Sequence, residues 1–348
     1  MRKPTRSEWV NWNDLIAGAP GGHSFWQLTE FADHKLPEWR PRPIIHDTSA
    51  GPVPVLYLVR RIPLHGEFWY APMGPCVREA QHLREICDEL RRESGAFTVV
   101  LEPLVDVSSA EDEARIVASI PGLRKIDDIQ PDAHTVVLNL EQSEEELLAS
   151  FKQRTRRSIR KAEKNGAIIE HIDDESAFEP FWKLYEAMAQ RADLLGVRSR
   201  EYYESRWRLW LAAGKGHFVL AKPNADMDYA AGAFLWHDKQ FVAYKDGGSL
   251  RIPEANGLQY LVQWEAIRWA KAHDATQYDL VGMPPSWELD DPNHFMHGLV
   301  QFKTGFGNVI DRLGAVQLDL KPRSTYFFER GTRRAISLVE RRRGATFF

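Results

Sequence analysis

The chain has 348 residues, of which 43% are hydrophobic and 27% are charged. This composition is typical of a folded globular protein, and the length favours two domains or three. It excludes disordered, collagen-like and low-complexity classes, and no run of about 18 apolar residues is present that would span a membrane. Because the only cysteines are Cys76 and Cys87 and the N-terminus lacks an apolar secretory segment, we expect a cytoplasmic protein without disulfides.

The formal net charge of −4 conceals two basic segments. Residues 151–165 contain seven Lys and Arg and one Glu, and residues 321–343 contain eight Lys and Arg and two Glu. The rest of the chain is strongly acidic. Basic segments on an acidic body favour a polyanionic partner, although two solvated helix faces would give the same pattern.

The first half of the sequence alternates apolar runs with helical periodicity. Ser7 and Ser24 are candidate N-caps of two short helices that end near Ile16 and Lys35. Apolar runs bounded by Gly and Pro predict strands, with a helical stretch among them. In order these are strands at Val53–Ile62 and Phe68–Ala71, a helix near Glu79–Glu93, and strands at Phe97–Leu101 and His134–Leu140.

One long helix is predicted between Ser143 and Asn165. Ser143 and Glu146 form a capping box, and Asn165-Gly166 is a helix-ending pair. Apolar and small side chains follow helical spacing at Leu147, Phe151, Thr155, Ile159 and Ala162. Away from this stripe, a basic ridge suited to contact successive phosphates is formed by Lys152, Arg156 and Arg160.

The second half repeats the order of elements found in the first. The predicted elements are strands at His217–Ala221, Tyr229–Trp236 and Phe241–Lys245, a helix at Gly257–His273, and strands at Tyr278–Val281 and Gly314–Leu320. The order strand, strand, helix, strand therefore occurs at 53–101 and again at 229–281, which indicates a duplicated domain. Strands that alternate with helices, and a short turn at 236–240, favour an α/β fold with a mixed sheet in each half.

Sequence motifs of common catalytic and cofactor sites are absent. No P-loop, Rossmann, zinc-protease, α/β-hydrolase or Cys-x-x-Cys motif occurs, so we predict neither a metal nor a cofactor. His294 and His297 are interpreted as surface histidines, because no frame of cysteines or carboxylates accompanies them. The Gly-rich turn with which acetyltransferases bind the pyrophosphate of acetyl-CoA is also missing from both halves.

Seven segments carry motifs in a fixed order along the chain. They are Phe25-Trp26-Gln27 followed by Phe31, Lys35 and Trp39; Gly74-Pro75; Ile129-Gln130-Pro131; Glu144–Gly166; Ala189–Tyr203 with Arg191, Arg198 and Tyr202; Tyr278-Asp279-Leu280-Val281-Gly282; and Phe302-Lys303-Thr304-Gly305-Phe306-Gly307. In order and spacing they resemble the motifs of the FemABX family, whose members are aminoacyl-tRNA-dependent peptidyltransferases. The resemblance covers nearly the whole chain.

This resemblance implies a fold, a domain division and substrates. The expected fold is a pair of acetyltransferase-like (GNAT) domains without a coiled-coil arm, at residues 1–142 and 143–315, with 316–348 returning to the first. The expected activity joins a tRNA-borne amino acid to an amine of a peptidoglycan precursor, either nucleotide-linked or lipid-linked. Aminoacyl-tRNA would be a co-substrate bound by Lys152, Arg156 and Arg160, and a peripheral contact with the membrane is left open.

The resemblance also implies roles for individual residues. Lys303 matches the lysine beside the tRNA 3′ end, where its ammonium would stabilise the oxyanion or the terminal phosphate, and Phe302 would shape the adenine pocket. Glu102 matches a carboxylate that would steer the acceptor amine or accept its proton. The alternative interpretations are a surface lysine on a strand and a carboxylate that is paired locally.

Four further residues are assigned to the acceptor by the same resemblance. Lys35 and Arg198 match positions that hold its diphosphate, a task suited to paired cations. Ser199 is a candidate helix cap, and Tyr202 lies one helical turn beyond it. Phe97 stands where the family can have Tyr, so a hydroxyl contact would be lost.

Three rival hypotheses remain at this point. Leu313-Gly314-Ala315 departs from the Gly-Glu that the family tends to carry, which leaves room for a tRNA-dependent transferase of natural-product synthesis with another acceptor. The second rival is a CoA-dependent N-acyltransferase, which the missing pyrophosphate loop disfavours. The third is a non-catalytic protein that binds RNA or a lipid surface through the two basic segments. No oligomeric state is predicted, and the expected location is the cytoplasm, with the inner membrane face left open.

Overall fold

The computed structural model describes residues 1–191, 198–342 and 347–348. The chain divides into two compact units. The first unit comprises Met1–His134, Pro285–Trp287 and Ile310–Phe348, and the second comprises Thr135–Pro284 and Glu288–Val309.

The described residues form the following helices and strands. The helices are α1 (Arg6–Val10), α2 (Trp12–Ala17), α3 (Thr29–His34), α4 (Ala80–Glu93), α5 (Ala110–Ser119), α6 (Glu144–Ser150), α7 (Gln153–Lys164), α8 (Phe178–Arg191), α9 (Arg200–Ala212), α10 (Leu258–Ala272), α11 (His297–Lys303), α12 (Pro322–Phe327) and α13 (Arg333–Arg342). The strands are β1 (Arg40–Thr48), β2 (Gly51–Ile62), β3 (Gly66–Ala71), β4 (Ala96–Leu101), β5 (Leu123–Lys125), β6 (His134–Asn139), β7 (Ile168–Ile172), β8 (Gly216–Lys222), β9 (Ala231–Asp238), β10 (Phe241–Ser249), β11 (Gln277–Asp279), β12 (Val309–Asp311) and β13 (Val316–Asp319).

The first unit is built on a six-stranded sheet in the order β1-β2-β3-β4-β13-β5. Strands β1, β2 and β3 are antiparallel neighbours, whereas β4 runs parallel to β3 after the crossover through α4. Helix α4 is amphipathic, and its apolar residues at helical spacing are buried against the sheet at Leu83, Ile86, Cys87 and Leu90. Strand β13 is antiparallel to both β4 and β5, so residues far along the chain complete this sheet.

The second unit is built on a seven-stranded sheet in the order β12-β6-β11-β10-β9-β8-β7. Strands β7, β8, β9 and β10 are antiparallel neighbours, and β11 runs parallel to β10 after the crossover through α10. Helices α7 and α10 contribute to the buried core of this sheet through residues such as Ile159, Ala162, Leu261 and Trp264.

The two units share one architecture, which confirms the α/β fold with tandem mixed sheets. In each unit an antiparallel meander leads through one helix into a strand that is parallel to the last strand of the meander. That helix is α4 in the first unit and α10 in the second. Among the residues that the structure describes, the longest helix is α10 with 15 residues, so no coiled-coil arm is evident there. Nor does any helix in these ranges have the length and apolar character needed to cross a bilayer.

Strand β6 lies in a different sheet from the one its place in the sequence suggested. It pairs antiparallel with β11, with Leu138 opposite Tyr278, and therefore belongs to the second unit. The boundary between the units consequently falls after His134 rather than at residue 142. Strand partners are chosen by packing between distant segments, which local sequence patterns do not encode.

The predicted helix from Ser143 to Asn165 is two helices. Ser143 caps α6 with the expected capping box, but Phe151 and Lys152 are extended, with ψ angles of 149° and 147°. The break lets the Phe151 ring reach the rings of Trp264 and Phe306, at centroid distances of 5.7 and 5.1 Å. Burial of this ring explains why the chain leaves the helical conformation for two residues.

Helix α1 shows a second difference from expectation, since its N-cap is Thr5 rather than Ser7. The Thr5 hydroxyl accepts from the Glu8 amide while the Glu8 carboxylate accepts from the Thr5 amide, which makes a complete capping box. The following turn at Asn11 separates α1 from α2, so the predicted single helix to Ile16 is also two.

Candidate functional site

Glu102 follows strand β4 in the first unit and is 3% exposed. Its Oε1 accepts the amides of Ile129 and Gln130 at 3.1 and 2.7 Å, and its Oε2 accepts the Tyr70 hydroxyl at 2.6 Å and the Met73 amide at 3.3 Å. Burial raises the pKa of this carboxyl to about 7, against the effect of the hydrogen bonds that favour the ionised form. All four acceptor positions of the carboxylate are occupied, so a substrate amine would have to displace a donor.

The sequence motifs of the first unit converge around this carboxylate. The Gln27 side chain donates to the Pro72 carbonyl at 2.7 Å and accepts from the Leu56 amide at 2.8 Å. It fills the space beside Gly74, where a Cβ would come within 2.6 Å of the Gln27 amide. The Gly74 carbonyl in turn accepts the backbone amide of Glu102 at 3.0 Å. Three of the motif segments therefore support one buried acid.

Tyr70 supplies a hydroxyl to this carboxylate that the sequence analysis did not assign. It lies on β3 opposite Val100 of β4, and the Gln130 side chain donates to its oxygen at 3.1 Å. Phe97 does not take part, because its ring is buried among aromatic rings, including that of Phe328 at 5.3 Å. The available signal for Tyr70 was its place near the end of β3, because side chains on the same face of neighbouring strands lie close together.

Lys35, the other predicted residue of this unit, lies at the C-terminal end of α3. It is 9% exposed, and its ammonium lies 5.3 Å from the centre of the Phe31 ring. A buried cation over an aromatic face is stabilised by the negative face of the ring.

In the second unit, Lys303 connects two of the motif segments. It is the last residue of α11 and is 5% exposed. Its ammonium donates to the carbonyls of Val281 and Gly282, the latter at 2.7 Å. It also lies 5.8 Å from the centre of the Tyr244 ring. Lys303 is thus a buried residue at a helix end and not the surface lysine on a strand that the sequence left as an alternative.

The turn that Lys303 contacts has an unusual backbone. Val281 and Gly282 have φ angles of 48° and 70°, in the left-handed region that a branched residue such as valine rarely adopts. The Asp279 carboxylate supports the turn from the other side, since it accepts the Val281 amide at 2.8 Å and the Thr135 hydroxyl. A strained turn held by a buried ammonium and a carboxylate is typical of functional sites.

Phe302, next to Lys303, is half-buried in an aromatic group. Its ring lies 5.0 Å from that of Tyr260 and 5.5 Å from that of Phe306. These contacts place Phe302 in the same aromatic group as Phe306 of its own motif segment.

Helix α7 reaches the same segment through its first residues. The Lys152 amide donates to the Gly305 carbonyl at 2.9 Å, and the Lys152 ammonium donates to the Thr304 hydroxyl at 3.2 Å. Thr155 lies so close to Gly305 that a Cβ there would come within 2.2 Å of its hydroxyl. The basic helix and the segment at 302–307 are therefore one connected structure.

The predicted basic ridge is only partly a free surface. The Arg156 guanidinium donates to the carbonyls of Ala149 and Phe151, so this half-buried side chain caps the end of α6. Arg160 is exposed, as are four other cations of the same helix, Arg154, Arg157, Lys161 and Lys164. Within the described ranges of the chain, none of these exposed side chains forms an ion pair with a carboxylate.

Arg198 and Tyr202 meet at the start of α9. The Arg198 guanidinium lies 4.3 Å from the centre of the Tyr202 ring, and the Ser199 hydroxyl accepts the Tyr202 amide at 3.4 Å. Ser199 is therefore the N-cap that the sequence predicted. Residues 192–197 of this motif segment lie outside the described residues. Across the part of the chain that is described, no group of three or more His, Cys, Asp and Glu side chains is arranged to bind a metal ion.

Comparisons with known proteins agree with this architecture. Residues 149–290 match the acetyltransferase (GNAT) domain family. The crystal structure of FemX superposes with a TM-score of 0.76 at 20% identity, over 94% of this chain and 100% of that one. A conserved protein of unknown function from Bacteroides thetaiotaomicron superposes with a TM-score of 0.53 at 9% identity, over 91% of this chain and 97% of that one.

A third structure is the C-terminal domain of a putative lysylphosphatidylglycerol synthetase from Agrobacterium fabrum. It superposes with a TM-score of 0.50 at 13% identity, over 93% of this chain and 98% of that one. A comparison with the curated proteins finds no match to this sequence. The expected fold is confirmed: the chain has two α/β units in tandem and shares its fold with FemX, and a GNAT domain match lies almost entirely in the second unit.

Proposed function

We propose that this protein is an aminoacyltransferase that takes an amino acid from aminoacyl-tRNA and joins it to an amine of a peptidoglycan stem peptide. The acceptor would be a muramyl pentapeptide in nucleotide-linked or lipid-linked form. The observation that carries the proposal is the buried Lys303, which joins the segment at 302–307 to the turn at 281–282 in a fold shared with FemX. Both segments belong to the motifs through which the sequence resembles the FemABX family.

The proposed reaction needs orientation and charge stabilisation. The acceptor nitrogen attacks the ester carbonyl, the bond between that carbon and the ribose oxygen breaks, and the proton lost by the amine is transferred to the ribose oxygen. A lysine-like amine has a pKa of about 10.4 and must be deprotonated before it attacks. The ammonium of Lys303 would stabilise the negative charge that develops on the ester or on the adjacent phosphate.

The exposed cations of α7 would bind the tRNA backbone. Arg154, Arg157 and Arg160 are exposed and unneutralised, and α7 begins where Lys152 contacts Thr304 and Gly305. A phosphate backbone that lay along α7 would therefore reach the segment at 302–307, which contains Lys303. Neutralised phosphates release counterions, so this binding would depend strongly on salt.

The acceptor would be bound by the remaining predicted residues. Arg198 lies beside Ser199 at the start of α9, where its guanidinium would pair with a phosphate of the acceptor's diphosphate. For Lys35, in the first unit, the role in acceptor binding is proposed on the resemblance alone. Glu102 would act by fixing Tyr70 and Gln130 in place, since its own oxygens are fully occupied.

The match of residues 149–290 to an acetyltransferase domain favours a second candidate, a CoA-dependent N-acyltransferase. The local geometry weighs against it. A GNAT pyrophosphate would bind at the N-terminus of the crossover helix. At the start of α10, a Cβ on Gly257 would lie 2.6 Å from the carbonyl of Ser158 in α7, so α7 backbone already fills that space. At the start of α4 the N-cap is Glu79, whose negative charge would repel a phosphate.

The test is a transfer assay with a bulk charged-tRNA pool and muramyl pentapeptide precursors. A precursor that gains the mass of one amino acid supports the proposal, and the gain should vanish when the tRNA is deacylated beforehand. A pentapeptide that stays unmodified while a non-cell-wall peptide is aminoacylated would favour the natural-product rival. No gain with any acceptor would contradict the proposed activity.

A further inference from the structure

The C-terminal segment of the first unit exposes large apolar side chains. It comprises α12, a π-helical turn at Phe328–Thr332 and α13. Phe327 is 66% exposed, Tyr326 is 51% exposed and Leu338 is 60% exposed. Neighbouring residues of the same segment are buried, since Thr325 donates to the Phe97 carbonyl at 3.3 Å and Phe328 packs on Phe97. The segment is therefore anchored by one face and leaves an apolar face outside.

The same outer face is basic. Arg323, Phe327, Arg330 and Arg334 are all exposed and follow one another at helical spacings of four, three and four residues. Residues 321–338 contain one acidic residue, Glu329, which pairs with Arg124 and accepts from the Gln317 side chain at 3.0 Å. The exposed charge of the segment is therefore positive.

A second element adds to this surface. Leu64 lies in the turn between β2 and β3 and is fully exposed, at 105%. Its φ angle of 67° is in the left-handed region, where Gly or Asn is usual and leucine is disfavoured. The next residue, His65, ties the turn to the C-terminal segment through contacts with the hydroxyls of Ser324 at 3.1 Å and Thr332 at 2.9 Å. The turn thus presents leucine to solvent at a position where the backbone favours another residue.

We propose that Leu64 and the C-terminal segment form a docking surface for an anionic lipid bilayer. The arginines would approach the lipid phosphates, while Leu64, Phe327 and Leu338 would enter the boundary between headgroups and acyl chains. Basic residues interleaved with exposed aromatic and leucine side chains are the signature of interfacial membrane binding.

A nucleic acid fits this surface less well than a bilayer does. The arginines would serve either partner, and Phe327 and Tyr326 could stack on bases. Leucine side chains offer no face for stacking, and the exposed Leu64 and Leu338 gain most from an apolar phase. The proposal concerns residues of the first unit, not those of α7, and does not depend on the transferase activity.

The test is co-sedimentation of the full chain with vesicles of phosphatidylglycerol and phosphatidylcholine, compared with vesicles of phosphatidylcholine alone. We expect binding to the anionic vesicles, weakened by salt, and little binding to the neutral ones. The double variant Arg323→Glu, Arg330→Glu should lose about tenfold or more of this binding. Arg84→Glu, Arg92→Glu, which makes the same change of charge on exposed residues of α4, is the matched control.

A second pair of variants tests the apolar contribution. Leu64→Asn, Phe327→Ser should weaken vesicle binding several-fold, whereas Phe295→Ser, at a residue 74% exposed in the second unit, should not. Leu64→Asn places a residue that tolerates the left-handed backbone, so the melting temperature should be maintained. Equal vesicle binding by wild type and both double variants would overturn the proposal. If the wild type does not bind vesicles and these variants lose tRNA binding, the surface would be assigned to RNA instead.

Discussion

At the scale of single residues, the buried ionisable groups carry most of the information about the site. By resemblance the sequence predicted functional roles for Glu102 in the first unit and Lys303 in the second, and the structure buries both. What the sequence could not provide was their partners. Tyr70 reaches Glu102 across two neighbouring strands, and Lys303 contacts backbone carbonyls of Val281 and Gly282, which no side-chain pattern records.

The raised pKa of Glu102 predicts a pH-dependent contribution to folding stability. Burial raises the pKa to about 7 from the ordinary value of 4.5, so the folded state binds the proton more tightly than the unfolded state. Below about pH 4.5 the tighter proton binding by Glu102 adds about 3 kcal/mol to the free energy of unfolding. This contribution is lost as the pH rises through about 7. Glu102→Gln should abolish this loss. In urea denaturation, the free energy of unfolding of the variant should therefore rise relative to that of wild type between about pH 5 and pH 8.

The matched control for this prediction is Glu254→Gln, which changes an exposed glutamate. Its stability relative to wild type should be nearly independent of pH over the same range. A constant difference between wild type and Glu102→Gln across that range would show that the carboxyl does not titrate there.

Lys303→Met tests the role of the buried ammonium. The substitution keeps the apolar stem but leaves two buried carbonyls without their donor, so we expect a loss of stability of about 1–3 kcal/mol. If the ammonium also stabilises the transition state, turnover in the transfer assay should fall by about 10²–10³ in protein that is still folded.

Thr135→Val separates catalysis from positioning in this site. It removes the hydroxyl that donates to Asp279 and so weakens the same turn while the ammonium remains. We expect a loss of turnover of less than about tenfold from this variant. An equal loss from both variants would make Lys303 a residue that only positions the turn, and a wild-type rate for Lys303→Met would remove it from the site.

At the scale of elements, the sequence predicted what periodicity encodes and missed what packing decides. Helices α4 and α10 and strands β2, β3 and β4 lie within a few residues of their predicted bounds, because each has a clear apolar pattern bounded by Gly, Pro or polar residues. The break between α6 and α7 was not predictable, since Phe151 fits the helical stripe and leaves it only to pack on Trp264 and Phe306.

Helix α7 carries a prediction about tRNA. The double variant Arg157→Glu, Arg160→Glu should bind tRNA more than about tenfold more weakly at low salt, and its binding should depend less on salt. The reason is that both cations are exposed and unneutralised. Arg156 is unsuitable for this test, since its guanidinium caps α6. Filter binding across a salt series is the measurement. Arg84→Glu, Arg92→Glu on α4 is the control, and unchanged affinity in the α7 variant would exclude a role for this helix.

At the scale of the whole molecule, the duplication was visible as a repeated order of elements without visible sequence identity. In each unit a meander and a parallel strand form most of the sheet, and the crossover helix between them packs its apolar residues against that sheet. The strands that complete the sheets, β13 beside β4 and β6 beside β11, join segments far apart in the chain. Such pairings depend on which sheet edge is free to accept a strand, and a single sequence does not specify that.

The central claim is that the activated donor is aminoacyl-tRNA and not an acyl-CoA. A donor competition tests it most directly: wild-type protein is incubated with charged tRNA, acetyl-CoA and a muramyl pentapeptide precursor together, and the acceptor is analysed by mass spectrometry. The account predicts that the acceptor gains the mass of one amino acid and no acetyl group, and that calorimetry with acetyl-CoA alone shows no saturable heat. An acetylated acceptor, with a saturable acetyl-CoA isotherm, would contradict it.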